Sequence, residues 1–133
     1  VIGGNGWDRY KQLKNVVYLG AINTQLSATV IRKSTVSLNL LRKQNYGSHN
    51  MRTFEIPVMG GLMLTRRSAE QNHFFRENID CLMYGNFKDL NNKIKLVLKN
   101  KSKFEKIKNS GYKLSKKYTY LLNVRKILKL IYP

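Results

Sequence analysis

Four short apolar runs, separated by segments of helical spacing, constrain the fold of this chain more than any other feature. They are residues 15–20 (NVVYLG), 35–41 (TVSLNLL), 61–65 (GLMLT) and 81–85 (CLMYG). Each is short and nearly all apolar, which predicts strands buried on both faces. Between them, residues 24–34 set Leu26, Val30 and Ile31 at helical spacing behind a Thr24 cap. Ser68, with Gln71 three residues on, has the capping-box pattern before a helix through Phe75. Beyond residue 85 the pattern turns helical. Leu90, Ile94, Val97 and Leu98 form one stripe, Phe104 and Ile107 a second, and Leu121, Val124, Leu128 and Ile131 a third. Gly111 is expected to end or interrupt the middle helix. The alternation predicts an α/β fold: a Rossmann-like parallel sheet with helices on both faces, and a helical C-terminus. Ligands of such sheets bind beyond the carboxyl ends of the strands. Loop 42–49 and the start of the next helix fall at that end.

A length of 133 residues fits a single domain, residues 1–133, with room for a core. Hydrophobic residues at 42% exclude a disordered chain. No apolar run approaches the roughly 20 residues that span a bilayer, and the glycine-rich start has no secretory pattern. The chain opens on Val1, so a piece of something longer is expected. Cys81 is the only cysteine. It excludes an internal disulfide and suits a reducing, cytoplasmic setting. Its apolar neighbours favour a buried structural thiol over a nucleophile. The formal charge of +18 is concentrated late: residues 88–133 carry 14 Lys/Arg against 2 acids. Such a balance suits anionic partners, namely nucleic acid, anionic lipid or phosphate-bearing substrates. Compositional drift explains it equally, since Lys (17) far exceeds Arg (8).

Against that basic background, residues 50–61 (NMRTFEIPVMGG) place a lone acid in an apolar run. A helix beginning near Asn50, Met51, Arg52 and Thr53 would offer free N–H groups and a positive dipole end to a phosphate. Arg52 would add a charge-assisted bond. Glu55, one turn deeper, suits a ribose diol. Gly60 and Gly61 would let the backbone turn closely into the next strand, and Pro57 predicts a short or kinked helix. The plainer alternative is an Arg52–Glu55 surface salt bridge, and on spacing alone it is favoured.

The run VSLNLLRKQNYGSHNMRTFEIPVMGGLMLT resembles the C-terminal domain of group 1 glycosyltransferases of the two-domain GT-B fold. The branch it resembles includes the spore-maturation CgeB-like proteins. The resemblance rests on Ser37, Leu38 and Asn39, on Asn50, Arg52, Phe54 and Glu55, and on Gly60 and Gly61. It continues in order through His73, Phe74 and Phe75, then Leu90, Ile94 and Leu98, to YTYLLNVRKIL at 118–128. It implies a nucleotide-sugar-binding domain that takes a nucleotide diphosphate sugar as donor substrate and needs no cofactor. Arg52 would stabilise the leaving diphosphate and Glu55 would hold the ribose. Ala21 and Ile22 would contact the base. Gly47 stands where the family's first glutamate would fall, and Tyr118 replaces a usual histidine. The N-terminal acceptor domain of such enzymes would lie outside this chain, and the acceptor is unknown.

His49 could touch a phosphate, although an exposed loop histidine is the commoner case. His73 is expected to be partly packed. Glu70 and Glu77 lie seven apart, about two helical turns, and solvated helix charges are favoured over a working pair. No metal site is expected. The lysine-rich tail with Tyr112, Tyr118, Tyr120 and Tyr132 keeps a nucleic-acid-binding module open. A peripheral site on an anionic membrane and a catalytically inert relative of the fold are also open.

Overall fold

The structure is a computed structural model that describes residues 1–4 and 6–132, Arg9 by its backbone alone. Its centre is a three-stranded parallel sheet. Strands β1 (Ser37–Asn39), β2 (Met63–Arg66) and β3 (Leu82–Tyr84) lie in the order β1-β2-β3. Among the described residues six α-helices accompany them: α1 (Thr24–Lys33), α2 (Arg52–Val58), α3 (Ala69–Phe74), α4 (Phe87–Lys99), α5 (Glu105–Ser115) and α6 (Tyr120–Ile131). The register pairs Leu38 with Leu64 and Leu64 with Leu82, then Asn39 with Thr65 and Thr65 with Met83. Side chains alternate across a strand, so the sheet feeds two cores. Met63, Cys81 and Met83 meet Ile31, Ile56 and Phe75 on one face, while Leu62, Leu64, Leu82 and Tyr84 meet Val97 and Phe104 on the other. The α/β architecture with helices on both faces is as the apolar runs predict.

The fourth expected strand is absent from this sheet. Within residues 15–20, Tyr18 makes one isolated parallel bridge to Ile2, with Ile2 N–H donating to the Val17 carbonyl at 2.8 Å. Left-handed residues bracket the segment, Asn15 at φ 64° and Gly20 at φ 67°. They turn the chain at each end and keep the extended stretch too short for a ladder. Asn5, inside the opening glycine-rich stretch, lies outside the described residues.

Local signals set most helix ends. The α1 cap is Asn23, one residue before the expected Thr24, and its side chain accepts from Leu26 N–H at 2.8 Å. The face of α1 turned inward holds Ser27 and Ile31, and Leu26 is exposed. Ser68 caps α3 as expected, accepting from Gln71 N–H at 3.1 Å. Pro57 leaves α2 short, at seven residues. Gly111 overturns its expectation, because α5 runs straight through it to Ser115. A Cβ there would overlap the Asp80 carbonyl oxygen and lie 3.7 Å from Pro57 Cβ. The glycine is needed for close packing.

The last helix stands apart. None of the residues of α6 is buried, and Leu121, Val124, Leu128 and Ile131 are all exposed. Among the described residues no helix is long and apolar enough to cross a membrane.

Candidate functional site

The loop leaving the carboxyl end of β1 is fastened from beneath by buried polar groups. Asn39, the last residue of β1, donates from Nδ2 to Thr53 Oγ1 at 3.1 Å. Gln71 of α3 donates to the same hydroxyl at 3.0 Å and to the Ser48 carbonyl at 3.4 Å. All three side chains are fully buried, so strand end, loop, α2 and α3 share one anchor. Asn50 supports the start of α2, where Thr53 N–H donates to its carbonyl at 3.0 Å. Buried bonds of this kind fix a local geometry, because leaving their groups unpaired would cost about 1–3 kcal/mol each.

Above this anchor lies a cavity of about 820 Å³. Its walls come from three places. Loop and α2 supply His49, Asn50, Met51, Phe54, Glu55 and Val58; α3 supplies Phe74; the end of α5 and the start of α6 supply Ser115, Tyr118, Thr119, Tyr120, Asn123 and Lys126. The lining is aromatic on one side: Phe54, Phe74 and Tyr118 stack edge-on or tilted with centroids 5.1 to 5.5 Å apart. Such pairs add stiffness as well as buried area.

Glu55 and Arg52 meet at 3.1 Å, with the arginine side chain 53% and the glutamate 33% exposed. The lone acid of residues 50–61 is therefore half of an exposed ion pair, the arrangement its spacing favours. A pair of this exposure contributes at most about 1 kcal/mol, so a ligand could part it at small cost.

His49 is packed, against the expectation of a free loop histidine. Its Nδ1 lies 2.7 Å from Glu70 Oε1, and its ring sits edge-on to Phe74 at 4.9 Å and Phe54 at 5.5 Å. Hydrogen bonds from the Ser48 side chain and His49 hold the Glu70 carboxyl below its ordinary range. Neither Glu70 nor Glu77 is merely a solvated helix charge. Helix α3 ends at Phe74, so the two do not share a helix. Glu77 instead accepts a two-pronged bond from Arg67 at 2.6 and 2.7 Å and another from Lys93 at 2.9 Å.

The remaining sequence-predicted residues are dispersed. Thr53 is turned into the core, as described. Gly61 is buried where a Cβ would lie 2.5 Å from Ile31 Cγ2, and Gly60, at φ 78°, borders a separate cavity of about 370 Å³ with Arg32, Met59, Lys108 and Tyr112. Both glycines serve the return from α2 to β2. Ala21 and Ile22 precede α1 and do not line the larger cavity. Gly47 is exposed. His73, expected to be partly packed, is exposed on α3 against Phe74. Cys81 is fully buried, and burial pushes its thiol up to about 12, which leaves it inert at neutral pH. Among the described residues no three His, Cys, Asp or Glu side chains gather as metal ligands would.

A family model described as glycosyl transferase-like matches residues 1–129. No curated protein and no solved structure gives a significant match to the chain.

Proposed function

The chain belongs to the glycosyl transferase-like family, and from that premise we propose that it is the donor-binding part of a GT-B glycosyltransferase of the CgeB-like branch. The observation that carries the reading is the 820 Å³ cavity, bordered by Asn50, Met51 and Glu55 beside the loop that leaves β1. Cavities beyond the carboxyl ends of parallel strands are where open α/β sheets hold their ligands.

The Arg52–Glu55 pair gives this reading a chemistry. With no ligand each group satisfies the other. Glu55 borders the cavity, and Arg52, which does not line it, is tied to it through Glu55. A nucleotide diphosphate sugar would part the two, its phosphates taking Arg52 and its ribose hydroxyls donating to Glu55. Two charge-assisted bonds would replace one exposed ion pair. In the transfer step, the guanidinium would stabilise charge growing on the departing diphosphate, an electrostatic contribution. Thr53 anchors the site from the core, Gly60 and Gly61 serve the return from α2 to β2 and do not line the cavity, and base contacts from Ala21 and Ile22 are left out because neither borders it. An acceptor domain outside this chain would complete the enzyme, so the chain alone should bind donor weakly and not turn over.

Calorimetric titration of UDP, GDP and dTDP, against the chain and Glu55→Ala at two salt concentrations, tests this. The expected outcome is saturable binding of one nucleotide, lost in Glu55→Ala. No nucleotide binding, together with steeply salt-dependent binding of a random oligonucleotide, would make the basic surface the activity. Neither kind of binding would mark an inert relative of the fold.

A further inference from the structure

We propose that helix α6 docks the chain on an anionic bilayer surface, with its aliphatic stripe among the acyl chains and its cations at the lipid phosphates. The inference goes beyond the donor-site reading and does not depend on it. The first observation is an uncovered stripe. Leu121, Val124, Ile127, Leu128 and Ile131 recur at helical spacing along one side of α6, and each is 47 to 60% exposed. Tyr120 and Tyr132 stand at its two ends, 77% and 75% exposed. Rings with one polar end suit the boundary between headgroups and hydrocarbon.

The second observation is charge, and it selects the occupant. Residues 106–133 carry eight Lys and Arg and no acid. Among the described residues only Lys108 of the eight meets a carboxylate, that of Glu105 at 3.7 Å. Arg125 and Lys129 lie one turn apart outside the stripe, where their methylene stems can follow apolar surface while the charged heads stay at the water side. A bilayer with anionic headgroups satisfies both features at once. Nucleic acid would take the cations and leave the aliphatic stripe in water. A second copy would cover the stripe only by bringing together two chains of charge +18. At 12 residues the helix is about 18 Å long, too short for a hydrocarbon core of about 30 Å. It lies on the membrane and does not span it.

The experiment is co-sedimentation of the whole chain with phosphatidylserine–phosphatidylcholine vesicles, and with phosphatidylcholine vesicles alone, at low and at about 0.5 M salt. The chain should pellet with the anionic vesicles at low salt and stay in solution with the zwitterionic ones. Leu128→Gln/Ile131→Gln and Arg125→Gln/Lys129→Gln should each weaken binding at least about tenfold. Both should keep the parent's melting temperature, since no residue of α6 is buried. Lys88→Gln/Lys99→Gln removes the same charge from α4, which packs on the sheet face opposite Tyr118. It should cost less than about threefold. Equal losses from the α4 and α6 charge variants, or binding untouched by the aliphatic variant, would mark a diffuse polycation and overturn the inference. Failure to pellet with anionic vesicles overturns it too, and a dimer in analytical ultracentrifugation that Leu128→Gln/Ile131→Gln abolishes would then give the stripe to a second copy. None of these results bears on the nucleotide titrations, so the donor site stands or falls separately.

Discussion

Gly111 sets two residue-scale effects against each other. Helix propensity says that Gly111→Ala should stabilise α5 by about 1 kcal/mol. Packing says the reverse, because the new methyl would overlap the Asp80 carbonyl, a backbone atom that cannot swing aside. Overpacking of this sort costs about 1–3 kcal/mol, and a urea melt should show net destabilisation. The sequence could not reveal this, since propensity is local and the contact joins residues 31 positions apart. The same holds for His49 and Glu70, 21 apart, and for the Thr53 hydroxyl, shared with Asn39 and Gln71. The Arg52–Glu55 pair was legible because three residues is one helical turn, a distance that spacing does encode.

At the scale of elements, the apolar runs foretold β1, β2 and β3, because strands buried on both faces carry their signal in every residue. Residues 15–20 have the same composition, but the left-handed turns at Asn15 and Gly20 limit them to a bridge. The stripe on α6 was also legible as a helix, yet spacing says nothing about whether a partner covers it. That contrast gives a prediction. Leu64→Ala, in the fully buried centre of β2, should cost about 2–5 kcal/mol. Leu128→Ala on α6, where the side chain is 47% exposed, should change stability by no more than about 0.5 kcal/mol. Denaturant midpoints of the two variants would separate them, and equal losses would mean that α6 is packed in solution.

For the whole molecule, acid is the sensitive direction. The Glu77 carboxyl is held down to about 2, from an ordinary 4.5, by the Arg67 bond first and then by Lys93. Its contribution is complete above pH 4.5 and drains away as the pH falls toward 2, where the folded form also takes the proton. Asp80 adds to the same limb. Burial would raise its carboxyl, but bonds from Arg76 and Ser110 outweigh burial and hold it low. Each acid that protonates also adds to a charge already at +18, and self-repulsion grows with it. Glu77→Gln should therefore lose about 2–3 kcal/mol at pH 7 and show a flatter decline in melting temperature between pH 4.5 and 2.5. A decline as steep as that of the parent chain would refute the assignment.

The order of the strands has a consequence for how this chain can be made. Each strand of the sheet bonds to the one synthesised just before it, so no edge must wait for a distant segment to be inserted. Paired positions such as Leu38 with Leu64 and Leu64 with Leu82 belong to successive units, so each pairing closes a loop of moderate length only. The sheet can grow in the direction in which the polypeptide emerges, with α2 and α3 laid down as it lengthens. Helix α5 arrives late, and its passage across Pro57 and the Asp80 carbonyl at Gly111 joins the two ends of that process. The step that completes assembly thus depends on a residue with no side chain at all.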